Sequence, residues 1–129
     1  MYSFRDAVEA RDVDGALECL DEDVEFRSPI AHTPYFGRAA VAPILRAVAE
    51  VFEDFRYVRE LGPSAAGHHA LVYEARVGDK LVEGCDFLRY DASGAIQELF
   101  VMVRPLSAAL AVAHAMQARL QQNEPTHGG

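Results

Sequence analysis

From Leu81 to Arg104 apolar and polar positions alternate with the two-residue period of a β-strand, not the longer period of a helix. The alternation predicts strands over 81–90 and 95–104, joined by the turn cluster Asp91-Ala92-Ser93-Gly94. With those residues as the loop, Asp86 faces Leu99 across the pair. The face of Asp86 also carries Val82, Gly84, Leu88, Val101 and Val103, whereas the other carries Cys85, Phe87, Phe100 and Met102 among Glu83, Arg89, Glu98 and Arg104. The first face is the better core, and it contains one carboxylate. An isolated buried charge costs more than the whole net stability of a domain, so Asp86 is expected to be paired, protonated or lining a cavity.

The remaining elements follow from the same reasoning. Ser3 and Asp6 form a capping box ahead of Phe4, Ala7 and Val8, which predicts a short first helix. Asp14 is a candidate cap for a second helix striped by Val13, Ala16, Leu17 and Leu20, ended by the acidic corner Asp21-Glu22-Asp23. Val24, Phe26 and Ser28 alternate with Glu25 and Arg27 as a strand halted by Pro29. The stretch 30–37 reads as a loop carrying His32 and Tyr35. A third helix runs in earnest from Pro43, with 39–42 as a preliminary turn and Ile44, Val48, Val51 and Phe52 as its stripe. Strands are predicted over 53–61, loosely alternating, and 69–77, with Gly78-Asp79 as the hairpin into the strand of Asp86. Pro105 ends the sheet, Ser107 caps a last helix striped by Leu110, Ala113, Met116 and Leu120, and 121–129 reads as a disordered tail.

This order implies an α+β fold: a cone formed by a curved antiparallel sheet with helices packed on its concave face, in a single domain over 1–120. A cone has a pocket. The outer face of the sheet should be polar if it meets water, yet Cys85, Phe87, Phe100 and Met102 sit there, which predicts a homodimer packed through that face; a helix covering it within the monomer is the alternative.

Composition narrows the function. The 129 residues hold 20 Asp+Glu against 12 Lys+Arg, a net charge of −8, which argues against nucleic acid and anionic membrane as partners. No run approaches the ~18 apolar residues of a membrane span, and Met1–Asp6 lacks the basic-then-apolar order of a secretory signal, so a cytoplasmic location is expected. Cys19 and Cys85 have no metal-ligand spacing and form no disulfide framework. His68 and His69, adjacent on a strand, point to opposite faces and cannot share a metal. No glycine-rich phosphate loop and no nucleophile triad is present. Neither a cofactor nor a metal is expected.

The layout, with DVEFRSP (23–29), the Gly37-Arg38 helix start and CDFLRYDASGAIQELFVMVRP (85–105), resembles the nuclear transport factor 2-like superfamily, and within it SnoaL-like proteins and ketosteroid isomerases. The similarity spans about 3–106. It implies a cystatin-like α+β barrel, often dimeric, on which isomerases, cyclases, hydrolases and plain binding proteins are all built. Asp86 falls where the isomerases keep a protonated carboxylic acid that donates to an oxyanion. Their general-base carboxylate would align with Ser28, and their helical tyrosine donor with Phe4, so steroid isomerisation by that mechanism is not expected. SnoaL-like cyclases imply a single strand-borne acid/base carboxylate, which maps onto Asp86. The epoxide-hydrolase pattern needs a second carboxylate and an arginine, neither of which lies on the inferred inner faces.

Asp86 is thus the leading catalytic candidate, with a structural acid bonded to Ser28, Tyr73 or backbone as the bland alternative. His32, placed at the cone's mouth, is the candidate base. Tyr35 and Tyr73 are candidate donors to a bound carbonyl, and Ser28, Phe26, Val101 and Leu88 are candidate ligand-binding residues. Two functions remain. One is a cofactor-independent isomerase, cyclase or related lyase acting on a small apolar molecule. The other is a non-catalytic protein, either binding an apolar metabolite or serving as a dimeric scaffold.

Overall fold

The computed structural model describes residues 2–123. Helix α1 (Phe4–Glu9) begins at the expected capping box, Ser3 Oγ accepting from the Asp6 amide at 3.1 Å and Asp6 Oδ2 from the Ser3 amide at 3.0 Å. Helix α2 (Val13–Glu18) is capped by Asp12 instead of Asp14: Asp12 Oδ1 accepts from the Gly15 amide at 2.9 Å, while Asp14 pairs with Arg46 at 2.8 Å. Strand β1 (Leu20–Arg27) starts earlier than expected and absorbs the acidic triplet, with Val24 and Phe26 buried beneath it. Part of the expected loop forms the two-residue strand β2 (Tyr35–Phe36).

Helix α3 (Arg38–Val51) is continuous through Pro43, which lies on its exposed side. Gly37, at φ 95°, turns the chain into it in the left-handed region where a side chain is strained. Strands β3 (Glu53–Leu61), β4 (His68–Val77), β5 (Lys80–Tyr90) and β6 (Ile96–Arg104) follow. Helix α4 (Leu106–Asn123) closes the chain. It starts before Ser107, because the Pro105 carbonyl already accepts the Ala109 amide at 2.9 Å. It also runs through 121–123, which were expected in the tail, whereas 124–129 lie outside the described residues.

The six strands form one curved, unclosed sheet in the order β2-β1-β6-β5-β4-β3. All neighbours are antiparallel except β1 and β6, which run parallel, so the sheet is mixed where an antiparallel one was expected. Asp86 pairs with Leu71 on β4 and with Val101, not Leu99, on β6. An irregularity at Arg89/Tyr90 shifts the register. From Asp86 to Leu88 the displacement is two residues, so Asp86, Leu88, Leu99, Val101 and Val103 keep their predicted face, whereas beyond the irregularity Ile96 turns inward and Gln97 outward, against strict alternation. Helix α4 packs on β4, β5 and β6, and α3 packs on α4 and β1. Ala108 and Val112 form the buried side of α4, with Ala113, Met116 and Leu120 turned toward an interior hollow; Leu110 is exposed, contrary to its place in the expected stripe. No helix among the described residues is long and apolar enough to cross a membrane.

Candidate active site

The inner face of β3, β4 and β5 carries an aromatic cluster beside one acid. Tyr57 and Tyr73 are register partners on β3 and β4, and Tyr73 faces Gly84 on β5. A Cβ on Gly84 would fall 2.1 Å from Tyr73 Cζ, so the missing side chain is what lets that ring lie down on the sheet. Phe55 stacks on Tyr73 at 4.8 Å between centroids and meets Tyr57 edge-on at 5.0 Å; Phe52 lies 5.8 Å from Tyr73.

Within this cluster the Tyr57 hydroxyl donates to Asp86 Oδ2 at 2.8 Å. Tyr57 stands two strands away from β5, and its phenol reaches over β4 to the carboxyl. Asp86 is 9% exposed, the remaining surface opening on a cavity of about 640 Å³. Burial pushes its pKa up to about 6, a rise that the Tyr57 hydrogen bond restrains by favouring the carboxylate. Burial, followed by the nearby Asp86 charge, raises both phenols well above the usual tyrosine range, so they stay protonated as donors. The Tyr73 hydroxyl lies over Gly84 with no hydrogen-bond partner among the described residues, and Tyr73 lines the cavity.

The cavity is otherwise mainly apolar, walled by Phe4, Phe26, Val48, Leu99, Val101 and Met116 among others. Of the residues expected at the site, Asp86, Tyr73, Phe26, Ser28, Tyr35 and Val101 line it. Ser28 Oγ accepts from the amides of Ile30 (3.2 Å) and Ala31 (2.8 Å), organising the loop at the rim. Tyr35 packs on Phe26 with centroids 6.1 Å apart. Two expectations fail. His32 is exposed and outside the lining, whereas Ile30 and Ala31, whose amides the Ser28 hydroxyl holds, border the hollow at its rim. Leu88 is buried in the core at 2% exposure, on the face of Asp86 but away from the hollow.

Tyr57 was missed from the sequence, although the spacing of Phe55 and Tyr57 on one strand face was a signal for it. The helices also bring Glu9, Arg11 and Asp12 to the mouth, a carboxylate–arginine grouping that strand faces alone did not indicate. All three are engaged elsewhere: Glu9 with Arg5 at 3.0 Å, Asp12 in the cap of α2, and Arg11 Nη2 with the Ala49 carbonyl. Among the described residues no group of three His, Cys, Asp or Glu side chains is placed to hold a metal.

On the opposite face of the sheet, Phe87 and Met102 are 40% and 50% exposed, beside half-buried Cys85 and Phe100. No helix among the described residues covers them. Arg89 pairs with Glu98 at 3.1 Å and Arg104 with Glu83, both within the chain.

Comparison with known proteins agrees with this architecture. A Pseudomonas aeruginosa protein described as a steroid delta-isomerase is 40% identical over 90% of this chain and 85% of its own, with a TM-score of 0.85. An uncharacterized Silicibacter pomeroyi protein with a cystatin-like fold is 32% identical over 93% of this chain and 84% of its own, with a TM-score of 0.87. An NTF2-like protein of unknown function from Cytophaga hutchinsonii shares the fold at 17% identity, covering 83% of this chain and 88% of its own, with a TM-score of 0.63. No curated protein matches the sequence. The sequence profile of the SnoaL-like domain matches residues 2–99, and the chain belongs to that family.

Proposed function

We propose that the chain is a cofactor-independent acid–base enzyme of the isomerase or cyclase class, acting on a small, largely apolar carbonyl compound. The observation that carries this reading is the Asp86 carboxyl, buried at the wall of a ligand-sized apolar cavity with Tyr57 donating to it at 2.8 Å. A carboxyl with a pKa of about 6 is mostly ionised at pH 7, yet is a stronger base than an ordinary aspartate. Asp86 then removes a proton from a carbon next to the carbonyl and returns it at another position of the same molecule. Tyr73, which lines the cavity and whose hydroxyl is not bound to another side chain, donates to the oxygen that gains charge in between. The proton lost and the proton regained balance, and no co-reactant is needed. The relative described as a steroid delta-isomerase supports the isomerase class. Because Ser28 and Phe4 lack a base and a donor, the proton carrier here is Asp86 alone.

The test is incorporation of solvent deuterium next to the carbonyl in a panel of apolar cyclic ketones and enones, followed by NMR. The full-length chain is expected to accelerate exchange, and Asp86→Asn to lower the rate roughly 10²–10⁴-fold with little loss of binding. Equal rates in chain, variant and buffer would remove the catalytic reading. The second reading, a binding protein for an apolar metabolite, is favoured by the mainly apolar wall, and it predicts ligand retention without exchange.

We further propose that the chain pairs with a second copy through the outer face of the sheet. Phe87, Phe100 and Met102 supply the apolar centre, and Glu83, Arg89, Glu98 and Arg104 surround it with two charges of each sign. A two-fold axis can set such a patch against itself with unlike charges opposed.

A further inference from the structure

The Tyr57–Asp86 pair is backed by a line of polar contacts that proton transfer does not itself use. The Arg5 guanidinium carbon sits 5.8 Å from the centroid of the Tyr57 ring, within cation–π range. Its Nη1 lies 2.5 Å from Glu60 Oε1, and its Nε donates to Glu9 Oε1 at 3.0 Å. The other oxygen of Glu60 lies 2.7 Å from His69 Nε2, and His69 Nδ1 lies 2.7 Å from the Tyr90 hydroxyl. A carboxylate only accepts, so the neutral His69 ring carries its hydrogen on Nε2 and takes one from Tyr90 on Nδ1. His69 is the fixed point of this line, its side chain 8% exposed, whereas those of Glu60 and Arg5 are 36% and 32% exposed. Exposed ion pairs add little stability, so the network is weak as a staple. What it does achieve geometrically is to hold one cation against the ring whose hydroxyl binds the buried acid.

We propose that Arg5, anchored through Glu60 and His69, is a positioning residue: it fixes the Tyr57 ring and strengthens the Tyr57 hydroxyl as donor to Asp86. The inference rests on the reading of Asp86 as the acid–base group, but its effect is visible without any substrate. The Arg5 cation at the ring face draws the phenol toward donating and so favours the carboxylate form of Asp86, working against Glu9, whose charge holds the phenol hydrogen more tightly.

The experiment is a ¹³C NMR titration of the Asp86 carboxyl in the full chain. Tyr57→Phe is expected to raise its midpoint by roughly one pH unit, because a hydrogen bond to the charged form is lost. Arg5→Met is expected to raise it by a few tenths of a unit in the wild-type background, and not at all once Tyr57→Phe is present. Glu60→Gln, a surface change that leaves α1 capped, should reproduce part of the Arg5→Met displacement. Equal displacements by Arg5→Met with and without the Tyr57 hydroxyl would show a direct field effect and overturn the proposal, as would no displacement at all. Absence of turnover would end the catalytic reading yet leave this titration result standing.

Discussion

Asp86 joins the fold more readily as an acid than as an anion, and this fixes the sign of a pH effect. Its folded pKa of about 6 lies above the ordinary 3.8, so the folded state binds a proton that the unfolded state has already lost between those values. The stabilisation is therefore fully present below pH 3.8 and is lost as pH rises through 6. The difference corresponds to on the order of 3 kcal/mol. In urea unfolding, wild type minus Asp86→Asn should fall by about that amount from pH 3.5 to 7.5; a flat difference would mean that the carboxyl is solvated. The face of Asp86 was legible in the sequence because strand side chains repeat every two residues, and a two-residue error in register leaves the face unchanged. Depth along that face was not legible, which is why Leu88 was placed at the site with Val101 although only Val101 reaches the hollow.

Among the elements, β3 and β5 determine whether the aromatic floor forms. Gly84 is the point at which β5 admits the Tyr73 ring. Gly84→Ala forces that ring to move, since no real contact approaches 2.1 Å. The expected cost is roughly 1–3 kcal/mol or more in chemical unfolding, with the Tyr73 ring displaced from the cavity wall; unchanged stability would show that the ring does not lie there. Tyr57 escaped notice for a reason that belongs to β3 as an element. Its pairing with β4 shifts between Glu53 and Arg56 and again between Tyr57 and Arg59, so the two-residue rhythm breaks twice in nine residues. Its contact with Asp86 also requires β4 to lie between β3 and β5. The cap of α2 was misassigned by a smaller margin. Asp12 and Asp14 are both good capping residues; the helix begins at Val13, so it is the Asp12 carboxylate that reaches the Gly15 amide, and Asp14 falls inside the first turn.

At the scale of the molecule, the order of elements gave the α+β architecture directly, while the parallel pairing of β1 with β6 was hidden because it joins segments far apart in the chain. The outer face of the sheet carries the remaining prediction. If two copies meet there, sedimentation should give a dimer at micromolar concentration, and Met102→Glu with Phe87→Glu should give a folded monomer. A monomeric wild type would overturn the pairing. The cavity itself has an uneven construction: the acid and its phenols stand on adjoining strands of one hydrogen-bonded sheet, whereas α1, α3 and α4 supply much of the roof. Mutations on those helices can reshape what the chamber admits while the reacting group stays where it is. Divergence in substrate preference can therefore proceed by retailoring the ceiling, with no need to reinvent the chemistry of the floor.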